Sequence, residues 1–131
     1  MSGYFYLASP MRGQLLYNGA MFLKVARVLR EQGYLVVSPW EHDIENGMDP
    51  GKSLGEQRFD MYAAFKWDFT KILGSKGVVL LPGWRQSKGV NAELVVATHA
   101  GIPVFEWNDE KECIRPLRMH PDKARIKWAR K

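Results

Sequence analysis

The sequence predicts a single α/β domain built on a four- to five-stranded, mainly parallel sheet with helices against both faces. Three observations carry that prediction. Four short apolar runs alternate with helix-patterned stretches up to residue 107, the signature of successive βαβ units. The run Gly77-Val-Val-Leu-Leu-Pro82 is apolar without alternation, as a strand buried on both faces requires. A length of 131 residues suits one domain whose core needs neither metal nor disulfide staples.

The first strand is read at Tyr4 to Ala8, followed by the loop Ser9-Pro-Met-Arg-Gly13. A helix over about Gly19 to Gln32 follows: Phe22, Val25, Ala26 and Leu29 recur at helical spacing, Lys24, Arg27, Arg30 and Glu31 face away, and Gly33 supplies the stop. Tyr34 to Ser38 is the second strand. The polar segment from Pro39 to Gly55, with Gly47, Pro50 and Gly51, is too long for a minimal connection and reads as a binding loop or lid. A second helix over about Glu56 to Leu73 leads to the third strand, Gly77 to Leu81, and a third helix over Gly89 to Ala100 leads to a fourth strand ending at Trp107. Ala124 to Trp128 can supply a fifth edge strand or a short helix. The whole reads as a Rossmann-like (flavodoxin-like) three-layer sandwich over residues 1–107 with a basic C-terminal extension over 108–131.

Composition narrows the function classes. The formal charge is +5, and Arg118, Lys123, Arg125, Lys127, Arg130 and Lys131 crowd the C-terminal end against the single acid Asp122. Such a tail can touch nucleic acid, but no stacking motif accompanies it, and a solvated terminal segment is the simpler reading. The lone Cys113 has no partner for an internal disulfide and no metal-ligand spacing, which points to a reducing compartment. No run approaches the roughly 18 to 20 apolar residues of a membrane span, and no leader pattern precedes the first strand, so a cytoplasmic protein is expected. His42, His99 and His120 lack ligand spacing to one another, so no metal is expected.

Two carboxylates stand out because they lie where apolar residues belong. Glu93 is the only charge in Gly89-Val-Asn-Ala-Glu-Leu-Val-Val-Ala-Thr-His-Ala100, after a loop at the carboxyl end of the third strand, where open α/β sheets bind ligands. Read as a first-turn residue, it gains from the positive helix end, which helps keep it ionised. Asp68 interrupts the stripe Met61, Ala64, Phe65 and Ile72 at the i+7 position; the plain alternative is a border residue paired with Lys66 or Lys71. Two carboxylates over one crevice suit glycosyl chemistry.

The neighbouring loops favour an anion. Arg12 can fork onto phosphate oxygens, Ser87 can donate its hydroxyl, Ser9 and Gly13 lie in the same first loop, and the Gly89 amide opens a helix at its positive end. Neither GxGxxG nor GxxxxGK[ST] occurs, which disfavours dinucleotide and Walker-type sites, and no cofactor is expected. Tyr6, Met11, Trp40 and Trp84 lie at strand ends and can sandwich a planar base, although ordinary packing explains each alone. No Gly-x-Ser-x-Gly elbow supports serine hydrolysis.

The ordered set Tyr6-Leu-Ala-Ser-Pro-Met-Arg-Gly13, Asn18, Phe22, Gly33-Tyr-Leu-Val-Val-Ser-Pro39, Trp67-Asp68, Leu80-Leu-Pro-Gly-Trp84 and Ser87-Lys-Gly-Val-Asn-Ala-Glu93 resembles the nucleoside 2-deoxyribosyltransferase-like superfamily, and within it the DUF4406 group. The resemblance runs from about residue 3 to 107. It implies that Glu93 is the nucleophile and that Asp68 orients it or the sugar, or handles the base proton. Similarity to the 2′-deoxynucleoside 5′-phosphate N-hydrolases implies that Tyr6, Arg12, Gly13 and Ser87 contact the 5′-phosphate. Pro10 stands where those hydrolases commonly carry a serine, so one phosphate contact is either missing or supplied by another residue such as Arg85 or Lys88. The resemblance also implies a homodimer or larger homo-oligomer.

The expected function is cleavage or transfer at the N-glycosidic bond of a nucleoside 5′-monophosphate. The alternative is a nucleotide-binding or sequestering module of the same fold without turnover.

Overall fold

The computed structural model describes residues 3–57 and 60–117. Five strands form one sheet: β1 (Tyr4–Ala8), β2 (Leu35–Val37), β3 (Gly77–Leu80), β4 (Val104–Asn108) and β5 (Cys113–Pro116), in the order β2-β1-β3-β4-β5. The first four are mutually parallel, and β5 runs antiparallel to β4. This is a flavodoxin-type strand order, whose switch point lies between β1 and β3. The domain is thus Rossmann-like, and the edge strand lies at Cys113–Pro116; Ala124 to Trp128 lies outside the described residues.

Strand alternation sorts the core into two layers. Phe5, Leu7, Val79 and Leu81 face one side, where Phe22, Val25, Ala26 and Leu29 of α1 (Gly19–Glu31) complete a buried cluster with Trp107. Tyr6, Ala8, Val78 and Leu80 face the other, against Ile72, Val90, Leu94 and Ala97. Those residues come from two helices that pack on each other, α3 (Met61–Leu73) and α4 (Lys88–His99). The period-2 pleat therefore decides that Tyr6, and not Phe5 or Leu7, reaches the α3/α4 side.

The Pro39 to Gly55 segment differs from its expectation as a loop. Its first half is a helix, α2 (Pro39–Glu45), started by Ser38, whose Oγ accepts from the Glu41 amide at 3.5 Å, with Pro39 at the first helical position. Ser-Pro-x-Glu is a helix-start pattern, and the helix brings Asp43 inward. Arg30 of α1 clamps this helix through a two-pronged contact to Glu41 at 2.8 and 2.9 Å.

Trp40 packs on α1 rather than lining a crevice. A Cβ added at Gly19 would sit 2.5 Å from its Cζ2, and its Nε1 donates to the Leu16 carbonyl at 3.1 Å. Gly19→Ala is therefore expected to lower unfolding free energy by about 1–3 kcal/mol, the usual cost of overpacking. Urea titration of the variant against wild type measures this, and equal midpoints would contradict it.

Candidate active site

A cavity of about 770 Å³ opens above the carboxyl ends of β1 and β3. Its walls come from the β1–α1 loop (Ser9, Met11, Arg12), from α2 and the segment after it (Asp43, Met48), from α3 (Met61, Phe65, Asp68, Phe69) and from the start of α4 (Ser87, Gly89, Glu93). Parallel strands with right-handed crossovers bring all four to the same edge of the sheet.

Tyr6 anchors the centre. It is fully buried, and its hydroxyl donates to Glu93 Oε2 at 2.7 Å. Burial, then the charges of Glu93 and Asp68, hold the phenol well above its ordinary range, so Tyr6 stays a donor. Glu93 is the sixth residue of α4, in its second turn, because Ser87 caps the helix and Lys88 begins it. The helix field fades beyond the first turn, and its expected help in keeping Glu93 ionised is overridden. Burial, opposed by the Tyr6 hydrogen bond and reinforced by Asp43, pushes the carboxyl up to about 7.

Asp68 carries the stronger displacement. Burial first, then Glu93 and Asp43, raise it to about 8, with the Tyr6 hydroxyl opposing the rise. Its Oδ1 is buried without a hydrogen-bond partner among the described residues, so the alternative of a Lys66 or Lys71 pairing is set aside. Lys71 instead lies over the Tyr4 and Trp67 rings. At neutral pH one carboxyl is thus largely protonated while its neighbour is near half-ionised. Such a pair can provide an acid and a nucleophile or base at once.

A third acid, Asp43, was not among the residues singled out from sequence. It is 5% exposed and lines the cavity, and burial raises its pKa against the opposing effect of His42. His42 Nδ1 lies 3.4 Å from Asp43 Oδ1, and its ring stacks on Trp67 with centroids 3.6 Å apart. The signal available was the Ser38-Pro39-x-Glu41 helix start, which converts a polar stretch into a helix with an inner face. Among the described residues no three His, Cys, Asp or Glu side chains group closely enough to hold a metal ion.

The first loop and the α4 start bring donors to the same cavity. Ser87 Oγ accepts from the Val90 amide at 3.1 Å, leaving its own hydroxyl proton to donate outward. The amides opening a helix have no intrahelical acceptor, and Gly89 leaves the approach open, with only Ser87 Oγ near an added Cβ, at 3.9 Å. Arg12 reaches over the Phe65 ring at 5.6 Å and makes no ion pair among the described residues. Gly13, at φ +78°, lies with Arg12 in an adjoining recess of about 340 Å³ that also includes Lys52 and Ser53.

The loop is held under strain. Leu16, Tyr17 and Asn18 are all left-handed, at about 1–2 kcal/mol each. Asn18 Nδ2 donates to Ser9 Oγ at 2.6 Å, and the Tyr17 hydroxyl donates to the Lys52 carbonyl at 2.7 Å, fixing the turn against the opposite wall.

Two expected contacts are corrected. Trp84 does not line the cavity: it packs in the core layer with Tyr6 and donates from Nε1 to Glu106 Oε2 of β4 at 3.1 Å. Arg85 stacks on Trp84 and also contacts Glu106, so of the two substitutes named for the missing loop serine only Lys88 borders the cavity.

Comparisons with known proteins agree with this architecture. A family described as a domain of unknown function, DUF4406, matches residues 4–106. A 2-deoxyribosyltransferase from the psychrotolerant bacterium Bacillus psychrosaccharolyticus is similar in fold, at 24% identity and a TM-score of 0.57, over 79% of this chain and 71% of that one. The solution structure of BlsM is similar at 18% identity and a TM-score of 0.56, over 85% and 68% of the two chains. A conserved protein from Enterococcus faecalis V583 is similar at 20% identity and a TM-score of 0.54, over 100% and 76%. No curated protein sequence matches the chain. No helix among the described residues is long and apolar enough to cross a membrane.

Proposed function

The chain belongs to the DUF4406 family, and from this membership and the site geometry we propose that it cleaves or transfers the base of a nucleoside 5′-monophosphate, a 2′-deoxynucleotide in particular. One observation carries the reading: a Tyr6-held Glu93 and a largely protonated Asp68 share one nucleotide-sized cavity with Arg12 and with the helix start at Ser87 and Gly89. The similarity to a 2-deoxyribosyltransferase supports the same bond as the target.

In this mechanism the Glu93 carboxylate attacks C1′ and the C1′–N bond breaks. The bonding pair leaves with the base, and the Asp68 proton neutralises it. Tyr6 holds Glu93 on the line of attack. Water, or the nitrogen of a second base, then attacks C1′ of the glycosyl-enzyme; the Asp68 carboxylate takes its proton and Glu93 is released. The phosphate rests on the Ser87 hydroxyl, the Gly89 amide and the Arg12 guanidinium, the Gly89 amide lying one helical turn before Glu93. Phosphate binding thereby orients the sugar.

Incubation with a panel of ribo- and deoxynucleotides and the matching nucleosides, with released base followed by chromatography, tests the proposal. Base release from 5′-monophosphates in preference to nucleosides is expected. Arg12→Ala should raise KM for the nucleotide roughly 10-fold or more with little change in kcat, because a contact remote from C1′ is made equally in ground and transition states. Tight nucleotide binding without base release from any member of the panel would replace catalysis by the sequestering module.

A further inference from the structure

We propose that the recess beside the main cavity holds a second phosphoryl group, so that the site takes a nucleoside 5′-diphosphate in preference to the monophosphate. The proposal rests on the nucleotide reading above, with Arg12 at the first phosphate, and adds the length of the phosphate chain.

The recess adjoins the cavity at the residue that reading gives to the phosphate. Arg12, Gln14 and Tyr17 line both hollows, and the recess runs on past them to Gly13, Lys52 and Ser53. Its volume of about 340 Å³ leaves room for a hydrated phosphoryl group. A two-phosphate chain can therefore lie across the Arg12 guanidinium, one group on the cavity side and the next in the recess.

The charge of the recess is one-sided. Two cations, Arg12 and Lys52, line it, and no acidic side chain does. Neither cation makes an ion pair among the described residues. The acids nearest to Lys52 in sequence are engaged in their own turns: Asp49 Oδ1 accepts from the Gly51 amide at 2.9 Å, and Glu56 Oε1 accepts from the Ser53 amide and hydroxyl at 2.9 and 3.1 Å. The Gly13 amide, in a residue at φ +78°, has no acceptor among the described residues and adds a neutral donor. Charges of one sign around a concave surface focus the potential that draws an anion in.

The wall that carries Lys52 is braced against the loop that carries Arg12. Gln57 Nε2 donates to the Lys52 carbonyl at 3.0 Å, to the Asp49 carbonyl at 2.6 Å and to the Tyr17 hydroxyl at 3.1 Å, while its Oε1 accepts from the Asp49 amide at 3.0 Å. The Tyr17 hydroxyl in turn donates to the Lys52 carbonyl at 2.7 Å. Tyr17 is the middle one of the three left-handed residues, and a backbone kept in such a conformation by surrounding bonds is a common feature of ligand clamps. One glutamine and one strained tyrosine thus fix the spacing of the two cations before any ligand arrives. Preorganisation of this kind lowers the cost of ordering when the second phosphate binds.

Calorimetric titration of the Glu93→Gln protein, in buffer free of divalent cations, with dAMP, dCMP, dGMP and dTMP and the matching 5′-diphosphates reads chain length without turnover. For each base that binds, the diphosphate should bind roughly 10-fold or more tighter than the monophosphate, the scale of one further charge-assisted contact. Adding Lys52→Ala should erase most of that ratio and leave monophosphate affinity nearly unchanged. Adding Lys111→Ala, at an exposed lysine outside the recess, should leave the ratio as it was, which separates a local contact from net charge. Equal affinity for the two chain lengths, a ratio that survives Lys52→Ala, or one that falls equally with Lys111→Ala overturns the assignment. If Lys52→Ala fails to fold, as judged by circular dichroism, Lys52→Gln gives the same comparison. Base release by wild-type protein from monophosphates, with no diphosphate advantage in binding, removes the recess but not the glycosidase; a Lys52-dependent advantage without base release does the reverse; no binding of any nucleotide removes both.

Discussion

Glu93→Gln is expected to abolish base release, by roughly 10⁴-fold or more in kcat, while nucleotide binding stays within about 10-fold of wild type. The substitution keeps the shape and leaves an amide oxygen to accept from Tyr6, whose hydroxyl now donates to Glu93 Oε2 at 2.7 Å. Only the nucleophile is lost. In wild type the same residue should control the acid side of the pH profile. Glu93 titrates at about 7 and must be ionised to attack; Asp68 titrates at about 8 and must keep its proton for the departing base. A narrow bell in kcat/KM follows, with limbs near those two values, which belong to the interacting pair rather than to either residue alone. Initial rates from pH 5 to 10 measure it. Activity flat across that range, or full activity in Glu93→Gln, would remove the two-carboxylate mechanism.

The parts of this site that were legible in the sequence are those where polarity conflicts with a long periodic element. Glu93 interrupts an apolar helix, and Asp68 interrupts a stripe whose helical period is clear from Met61 to Ile72; both lie on the cavity wall. Asp43 escaped that logic because α2 has only two turns, too few to show a period, and its polar residues look like loop. Asp43 is buried in a helix docked on α3, where the neighbouring His42 stacks on Trp67. Trp84 misled for the complementary reason: its position after β3 was readable, its direction was not. A 3-10 turn at Trp84–Gln86, preceded by the left-handed Gly83, turns the indole toward Glu106. The edge strand Cys113–Pro116 carries no apolar alternation strong enough to show, since it pairs on one side only and three of its four residues are exposed.

Asp68→Asn should produce opposite changes in activity and stability. Activity falls because the base departs without its proton, a loss of about 10²- to 10⁴-fold, and the residual rate no longer declines above pH 8. Stability rises because Asp68 is a group the fold holds at a disadvantage. Its pKa stands near 8 in the folded chain against 3.8 when free, so the folded state retains a proton that the unfolded state has released. Below about pH 4 both states are protonated and the site costs nothing. As pH rises from there to about 8 the folded state is progressively penalised, and above 8 the full cost of a buried carboxylate beside Glu93 is present. Glu93, raised from 4.5 to about 7, adds a penalty of the same sign over a lower window. Solvent at the partly open cavity wall weakens these effects, and about 1–3 kcal/mol for Asp68 at pH 8.5 is a reasonable scale. Asparagine has no charge to bury, so the melting temperature of the variant should exceed that of wild type at pH 8.5 and converge with it at pH 4. Nucleotide is left out of both melts, since a ligand bound to the folded state adds its own stabilisation. Identical pH dependence of the two melting curves would mean that Asp68 ionises as freely in the fold as in water, and with that the protonated acid required at C1′ would be lost.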